Sequence, residues 1–578
     1  MLPSSTMIQV PELIGAGEIV GVAIAALVLI ATLGSLIATG LPLVSALSGV
    51  AFGVGGAFAI SSIVPMHSLT AVLGLMLGLA VGIDYALFIV NRQRRFILDQ
   101  RLSAPEATAR AIGTAGSAVF FAGTTVVIAL LALTVVQIQL LTTMAITAAA
   151  TVVIAVLSAL TLLPALLGFV GERICSAKAR LNAGTSHDNG SSHRVANTWS
   201  RLLVKNRYVA AVGALAIAGV IAAPVLDMDL GLPSGASYHP DTAQRQSFEV
   251  VGNAFGEGYN GPLVVTVDLP AGLDEDAAED ARLAVGEQLA GLEHAHAVVP
   301  AGFNEDRTVT MFQVLPEEGP NAVSTEELVR DLRATEPAGE ASNLGVAGMT
   351  SGFIDVSEKL SDALPLYLGV VVGLSLLIMV LVFRSILVPL IATGGFVLSM
   401  FAAMGGVVAI YQWGWLGSVF GVHNPGPVLS FLPTIMIGVL FGLAMDYQLF
   451  IASGMREAYA HGLPARQAVL TGLRSGRAVV IAAAIIMISV FGGFIFAHDA
   501  MIRPMGFGLA FGVLLDAFVV RLLLMPALMH LLGDAAWWLP RWLDRIMPDV
   551  DVEGAQLERA HAPAHPSGPA PDGGAHRA

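Results

Sequence analysis

GLAVGIDYALFIV, residues 78–90, and FGLAMDYQLFIA, residues 441–452, each set an Asp-Tyr pair inside an otherwise apolar run. Asp84-Tyr85 and Asp446-Tyr447 stand 362 residues apart. Other blocks repeat at nearly the same distance and in the same order. LTLLPALL from Leu160 matches LLLMPALM from Leu522, so that Pro164 and Pro526 are again 362 apart. GSAV from Gly116 matches GRAV from Gly476 at an offset of 360. GSLIATGLPLV…GGAFAI from Gly34 matches RSILVPLIATG…GGVVAI from Arg384 at an offset of 350. Four matched blocks in one order define an internal duplication. Its two copies keep the same predicted orientation, so they are parallel repeats related by an axis along the membrane normal.

That a membrane is involved follows from composition. Of 578 residues, 55% are hydrophobic and 12% charged, with a mean hydropathy of +0.75. A soluble chain carries about 25% charged residues. No Asp, Glu, Lys or Arg occurs from Gly21 to Thr70 or from Gly113 to Gly171. A helix needs about 20 apolar residues to cross the hydrocarbon layer, so each of these runs holds two spans and a turn. Eleven spans are predicted, at about 16–38, 41–63, 69–91, 116–136, 142–170, 207–226, 364–383, 386–411, 428–453, 478–497 and 505–533. The first 20 residues carry no basic stretch ahead of the apolar run and do not read as a leader peptide. The single cysteine, Cys175, excludes an internal disulfide and sits in a basic loop.

Lys and Arg in short loops set the orientation. Arg92, Arg94, Arg95, Arg101 and Arg110 lie between spans three and four. Arg173, Lys178, Arg180, Arg194, Arg201, Lys205 and Arg207 lie between spans five and six, and Arg456, Arg466, Arg474 and Arg477 between spans nine and ten. All three loops are read as cytoplasmic. Residues 227–362 are then extracytoplasmic, with 25 acidic and 6 basic residues. Such acidity marks a solvated surface rather than a ligand class.

The domain reading is a first transmembrane repeat of five spans at 1–170, a cytoplasmic loop at 171–206 and a span at 207–226. An outer domain at 227–362 and a second repeat of five spans at 363–533 follow. A cytoplasmic tail at 534–578 is expected to be disordered from about 549. In the outer domain, helices are expected at 241–255, 274–292 and 324–335, and strands at 262–268, 298–304, 308–315 and 343–348. The fold class is a mostly α polytopic membrane protein with one α+β outer module. His561, His565 and His576 lie in the tail and are not read as a metal site.

Asp84 and Asp446 carry the chemistry. A carboxyl in an apolar helix faces protein or a water path and is functional by default. Burial and a second nearby acid both disfavour the charged form, so such a pair can hold and release a proton near neutral pH. Each adjoining tyrosine hydroxyl can bond a carboxylate. Consecutive helix residues diverge, so Tyr85 is expected to reach Asp446, and Tyr447 to reach Asp84. Gly74, Gly78 and Gly82 in span three, and Gly438 and Gly442 in span nine, are expected to let the two helices approach closely. Asp516 has Arg521 five residues on and reads first as half of a structural ion pair, second as an accessory relay residue. No nucleophile elbow, H-E-x-x-H or phosphate-binding Walker loop occurs, which argues against a membrane enzyme and against ATP as energy source.

GIDYALFIV and FGLAMDYQLFI, each before a basic loop, resemble the MmpL family of the RND superfamily, best known from actinobacteria. LLDAFVVRLLLMPALMHLLGDAAWWLP, from Leu514, resembles that family's last span, and GMTSGFID, from Gly348, its approach to the eighth. The resemblance covers residues 12 to about 545. It implies proton-driven export of lipids, glycolipids or other hydrophobic compounds, with Asp84, Tyr85, Asp446 and Tyr447 as the relay. It implies no cofactor beyond protons as coupling ion and no nucleic-acid partner, and it allows a monomer or a trimer. It also implies twelve spans and two outer porter domains, whereas this chain opens at what would be the second span. The expectation is a truncated product or misplaced start. The alternatives are a split transporter completed by a partner polypeptide and a reduced but working one. The competing functional class is a non-transporting fragment or cell-envelope scaffold.

Overall fold

A computed structural model describes residues 15–59, 61, 68–176, 205–232, 234–238, 240–460, 462–497 and 499–547. Among them, eleven helices are long and apolar enough to cross a membrane. In chain order these spans are Ala16–Leu33, Leu36–Ala59, Leu69–Asp99, Ala104–Val136, Gln139–Ile174, Arg207–Asp227, Met349–Phe383, Leu387–Gln412, Leu432–Arg456, Gly476–Phe496 and Ile502–Trp537. The tail beyond 547, with its three histidines, and most of the basic loop before span six lie outside the described residues.

Hydropathy alone does not rank the spans, but burial does. Span nine is wholly enclosed by protein and span three nearly so, while spans one, six and seven show most of their surface to the outside. The two helices that carry Asp-Tyr are therefore central, and the lipid-facing helices surround them. Contacts between the halves are reciprocal: span four packs on span nine, and span ten, its repeat mate, packs on span three. That exchange is the signature of a two-fold relation between the copies.

The glycine faces correct one expectation. Gly78 and Gly82 do not serve the approach of span three to span nine. A Cβ on Gly78 would meet Cγ2 of Val50 at 2.7 Å and Cγ2 of Thr151 at 2.8 Å, and one on Gly82 would meet Cβ of Ala46 at 3.0 Å. Span three thus closes on spans two and five of its own repeat. In span nine, a Cβ on Gly442 would meet Cα of Val126 in span four at 3.0 Å, and one on Gly438 would meet the Tyr367 hydroxyl of span seven at 2.6 Å. Gly442 thus seats span nine on span four of the other half, while Gly438 makes room for span seven of its own half. Gly78→Val is expected to destabilise the protein by about 1–3 kcal/mol through overpacking, read as a lower midpoint in detergent-driven unfolding.

Both repeated prolines follow widened helical turns. Pro164 comes after a π-helical turn at Ser158–Leu162, and Pro526 after a longer one at Leu515–Leu524. Proline lacks an N–H and its ring clashes with the carbonyl four residues back, so the ladder must open just before it.

Span seven begins earlier than the predicted 364. Its helix runs unbroken for 35 residues from Met349, about 50 Å at 1.5 Å per residue, and so crosses the predicted domain boundary at 362–363. The charges at Asp355, Glu358, Lys359 and Asp362 hide this extension from a hydropathy reading. They stand above the membrane as the stalk of the outer domain, where Arg333 grips Asp355 with two bonds of 2.6 and 2.9 Å.

Among the described residues, six strands, β1–β6, span Leu230–Gly231, Leu263–Asp268, Ala295–Phe303, Val309–Pro316, Ser342–Ala347 and Val428–Leu429. The outer sheet is antiparallel, in the order β3-β4-β2-β5. Strand β2 alternates, burying Leu263, Val265 and Val267 beneath the helices Glu275–Ala290 and Val323–Ala334. Phe312 lies opposite Val265 and is fully buried. Phe312→Ala is expected to destabilise the outer domain by about 3–5 kcal/mol, seen as early loss of amide-exchange protection in β2 and β4. The short pair β1 and β6 is parallel and ties the exit of span six to the approach of span nine. The sequence reading did not foresee it.

Candidate functional site

Asp84 sits near the middle of span three and Asp446 near the middle of span nine, each about 1% exposed. On a helix, neighbouring residues point about 100° apart, so each tyrosine leaves its own aspartate for the opposite helix. Tyr85 donates its hydroxyl to Oδ2 of Asp446 at 2.6 Å, a bond that joins the two repeats in the buried centre of the protein. The reciprocal bond is not formed: the Tyr447 hydroxyl donates to Sδ of Met487 in span ten at 3.4 Å, so only the Tyr85 half of the expected cross-pairing is made. Sulfur is a weak acceptor and competes little for that hydroxyl.

Oδ1 of Asp84 and Oδ1 of Asp446 are buried and receive no hydrogen bond from the described residues. An uncompensated charge on a buried carboxyl oxygen without a donor is expensive. The tyrosine hydroxyls both donate and accept, so they can pass a proton or steady the group that holds it.

Asp516 and Arg521 adjoin this centre. In an α-helix, residues five apart point roughly 140° away from each other. The π-helical turn at Leu515–Leu524 widens the spiral so that five residues complete about one turn. Nε of Arg521 therefore reaches Oδ2 of Asp516 at 2.5 Å. The same guanidinium donates to the carbonyl of Ala444 and lies 5.5 Å from the centre of the Tyr447 ring. Of the two readings of Asp516, the ion pair is the one the geometry displays. A cavity with room for about one water lies between Asp516 and Tyr447, walled by Ser399 and Leu440.

Sequence reasoning missed the role of Arg521 toward span nine. The available signal was an arginine inside an apolar helix, which must find acceptors. It also missed Met487, which carries no polar signal. No group of three or more metal-ligating side chains occurs among the described residues.

The MMPL family model matches residues 11–210 and 245–549. The chain is 42% identical over 488 residues to membrane protein YdfJ of Bacillus subtilis, covering 84% of this chain and 66% of that protein. It is 31% identical over 482 residues to the mycolic acid-containing lipids exporter MmpL11 of Mycolicibacterium smegmatis, covering 83% and 50%. To the trehalose monomycolate exporter MmpL3 of Mycobacterium tuberculosis it is 26% identical over 531 residues, covering 84% and 55%. The chain spans between half and two thirds of the length of these relatives. With the family model laid over most of its length and eleven apolar spans arranged as two repeats, this is a multi-pass bacterial cell-membrane protein belonging to the MMPL family.

Proposed function

We propose that the protein moves lipids or other hydrophobic compounds across the membrane at the expense of the proton gradient, with Asp84, Tyr85, Asp446 and Tyr447 as its relay. The observation that carries this reading is the Tyr85–Asp446 bond of 2.6 Å, which couples a titratable group in one repeat to a hydroxyl in the other. Protonating Asp446 changes what Tyr85 binds, and so changes what holds the repeats together. That gives a chemical link between proton occupancy and helix arrangement. MmpL11 of Mycolicibacterium smegmatis is named for exporting mycolic acid-containing lipids and MmpL3 for exporting trehalose monomycolate, which favours an amphiphile as substrate.

The test is reconstitution of the full chain in liposomes, with a pH-sensitive dye inside and an imposed proton gradient. The reading expects protein-dependent proton flux that rises when a long-chain lipid is supplied. Folded protein in the bilayer with no flux above empty vesicles contradicts it, and leaves a membrane scaffold as the better description.

A further inference from the structure

The segment after span eleven splits two adjacent tryptophans. Trp537 stacks on Tyr459, ring centres 5.5 Å apart, and is half-buried. Trp538 is 57% exposed, and beyond it Trp542 and Ile546 are 66% and 74% exposed. Trp542 and Ile546 lie four residues apart on the short helix Arg541–Ile546, so they share a face. Arg541 and Arg545, also four apart and exposed, form the neighbouring stripe.

This strap does not hang loose. Arg384, at the turn between spans seven and eight, donates to Oδ1 of Asp544 at 2.6 Å and to the Asp544 carbonyl at 3.0 Å. Ser385 donates to the Ala536 carbonyl at 2.6 Å, and the Ile386 amide to the Trp538 carbonyl at 3.4 Å. A segment pinned at both ends by polar bonds, yet presenting two tryptophans and an isoleucine outward, is built to face something apolar.

We propose that residues 538–546 form a strap that docks on the anionic lipid surface of the cytoplasmic leaflet. Three observations choose that occupant. The strap continues directly from the last residue of a membrane span, so it lies at the level of the bilayer edge. Tryptophan is the residue that favours that edge, where one end is apolar and the other wet. Arginines beside the apolar face match anionic headgroups on the side that carries the basic loops. The strap is bonded to the turn between spans seven and eight, and span eleven carries the Asp516–Arg521 pair. Docking therefore clamps the cytoplasmic ends of both to the leaflet. The inference stands independently of the transport reading.

The full chain is reconstituted in vesicles of phosphatidylcholine alone or with phosphatidylglycerol, using lipids brominated near the headgroup as quenchers of tryptophan emission. The difference between the unsubstituted chain and Trp542→Phe isolates Trp542. The proposal expects this difference signal to be quenched by brominated lipid and shielded from aqueous acrylamide. It also expects quenching to increase with phosphatidylglycerol, and the docking equilibrium to weaken by about fivefold for each of Arg541→Gln and Arg545→Gln. Quenching by acrylamide and not by brominated lipid overturns it, since the strap then faces water. Protection from both quenchers also overturns it, since protein then covers the strap. Equal quenching with and without phosphatidylglycerol also overturns it, since anionic headgroups then play no part in the docking. Emission from the unsubstituted chain supplies a second reading that needs no variant: its quenching must rise as phosphatidylglycerol is added.

Discussion

Asp84→Asn or Asp446→Asn, reconstituted under a proton gradient, is expected to reduce proton flux to the level of protein-free vesicles. Asparagine keeps the shape of the side chain and an oxygen that can accept from a tyrosine, so the helices can remain where they are. It cannot bind and release a proton in the range the gradient spans. The loss is therefore chemical, and an unchanged unfolding midpoint in the same preparations separates it from misfolding. Both positions should behave alike because each supplies one carboxyl to a single buried centre. Tyr85→Phe is expected to be milder. It removes the 2.6 Å donor to Asp446 but leaves both acids in place. A hydrogen bond to a charged group is worth about 1.5–3 kcal/mol, so a fall of about tenfold or more in flux is expected. Flux in Asp446→Asn equal to that of the unsubstituted chain would remove Asp446 from the relay.

Arg521→Gln is expected to destabilise the membrane-spanning part of the protein strongly. Arg521 is 2% exposed, and its guanidinium bonds Asp516 at 2.5 Å while also holding the Ala444 carbonyl of span nine. Without it, Asp516 is left buried with neither oxygen satisfied, since its Oδ1 already has no partner among the described residues. Breaking a buried pair from one side costs about 3–5 kcal/mol. Removing both charges together, as Asp516→Leu with Arg521→Met, is expected to restore most of that stability, because a well-packed apolar pair replaces the ion pair. Unfolding midpoints of the single and double variants in detergent read this directly. A single variant as stable as the unsubstituted chain would mean that the pair holds nothing together.

Much of this architecture is legible in the sequence, for a physical reason. Twenty-residue apolar runs have no stable alternative to a span, so the eleven spans are encoded in composition alone. An acid such as Asp84 or Asp446 stands out against that background, and the duplication places the two in equivalent positions. Partner choice is harder to read. A small-residue face says that something approaches closely and not what. Gly78 therefore closes on Val50 and Thr151, and Gly442 on Val126, where span three and span nine had been expected to meet.

Irregular backbone is equally hidden. Pro526 predicts a disturbed ladder, but the length of the widened turn depends on packing. Only that turn explains how Asp516 and Arg521 meet across five positions. The two-residue pairing of β1 with β6 is too short to leave a pattern. The stalk at Met349–Asp362 reads as soluble because its charges suit water, although its backbone is continuous with span seven.

On the proposed function, one buried centre shared between the repeats binds the transported proton. Infrared difference spectroscopy of the reconstituted protein, titrated across neutral pH, tests it most directly. A protonated-carboxyl signal is expected that disappears as pH rises, is diminished in both Asp84→Asn and Asp446→Asn, and shifts in Tyr85→Phe because that hydroxyl bonds Asp446. A titrating signal identical in the unsubstituted chain and both asparagine variants would contradict it, and would place the proton elsewhere in the protein.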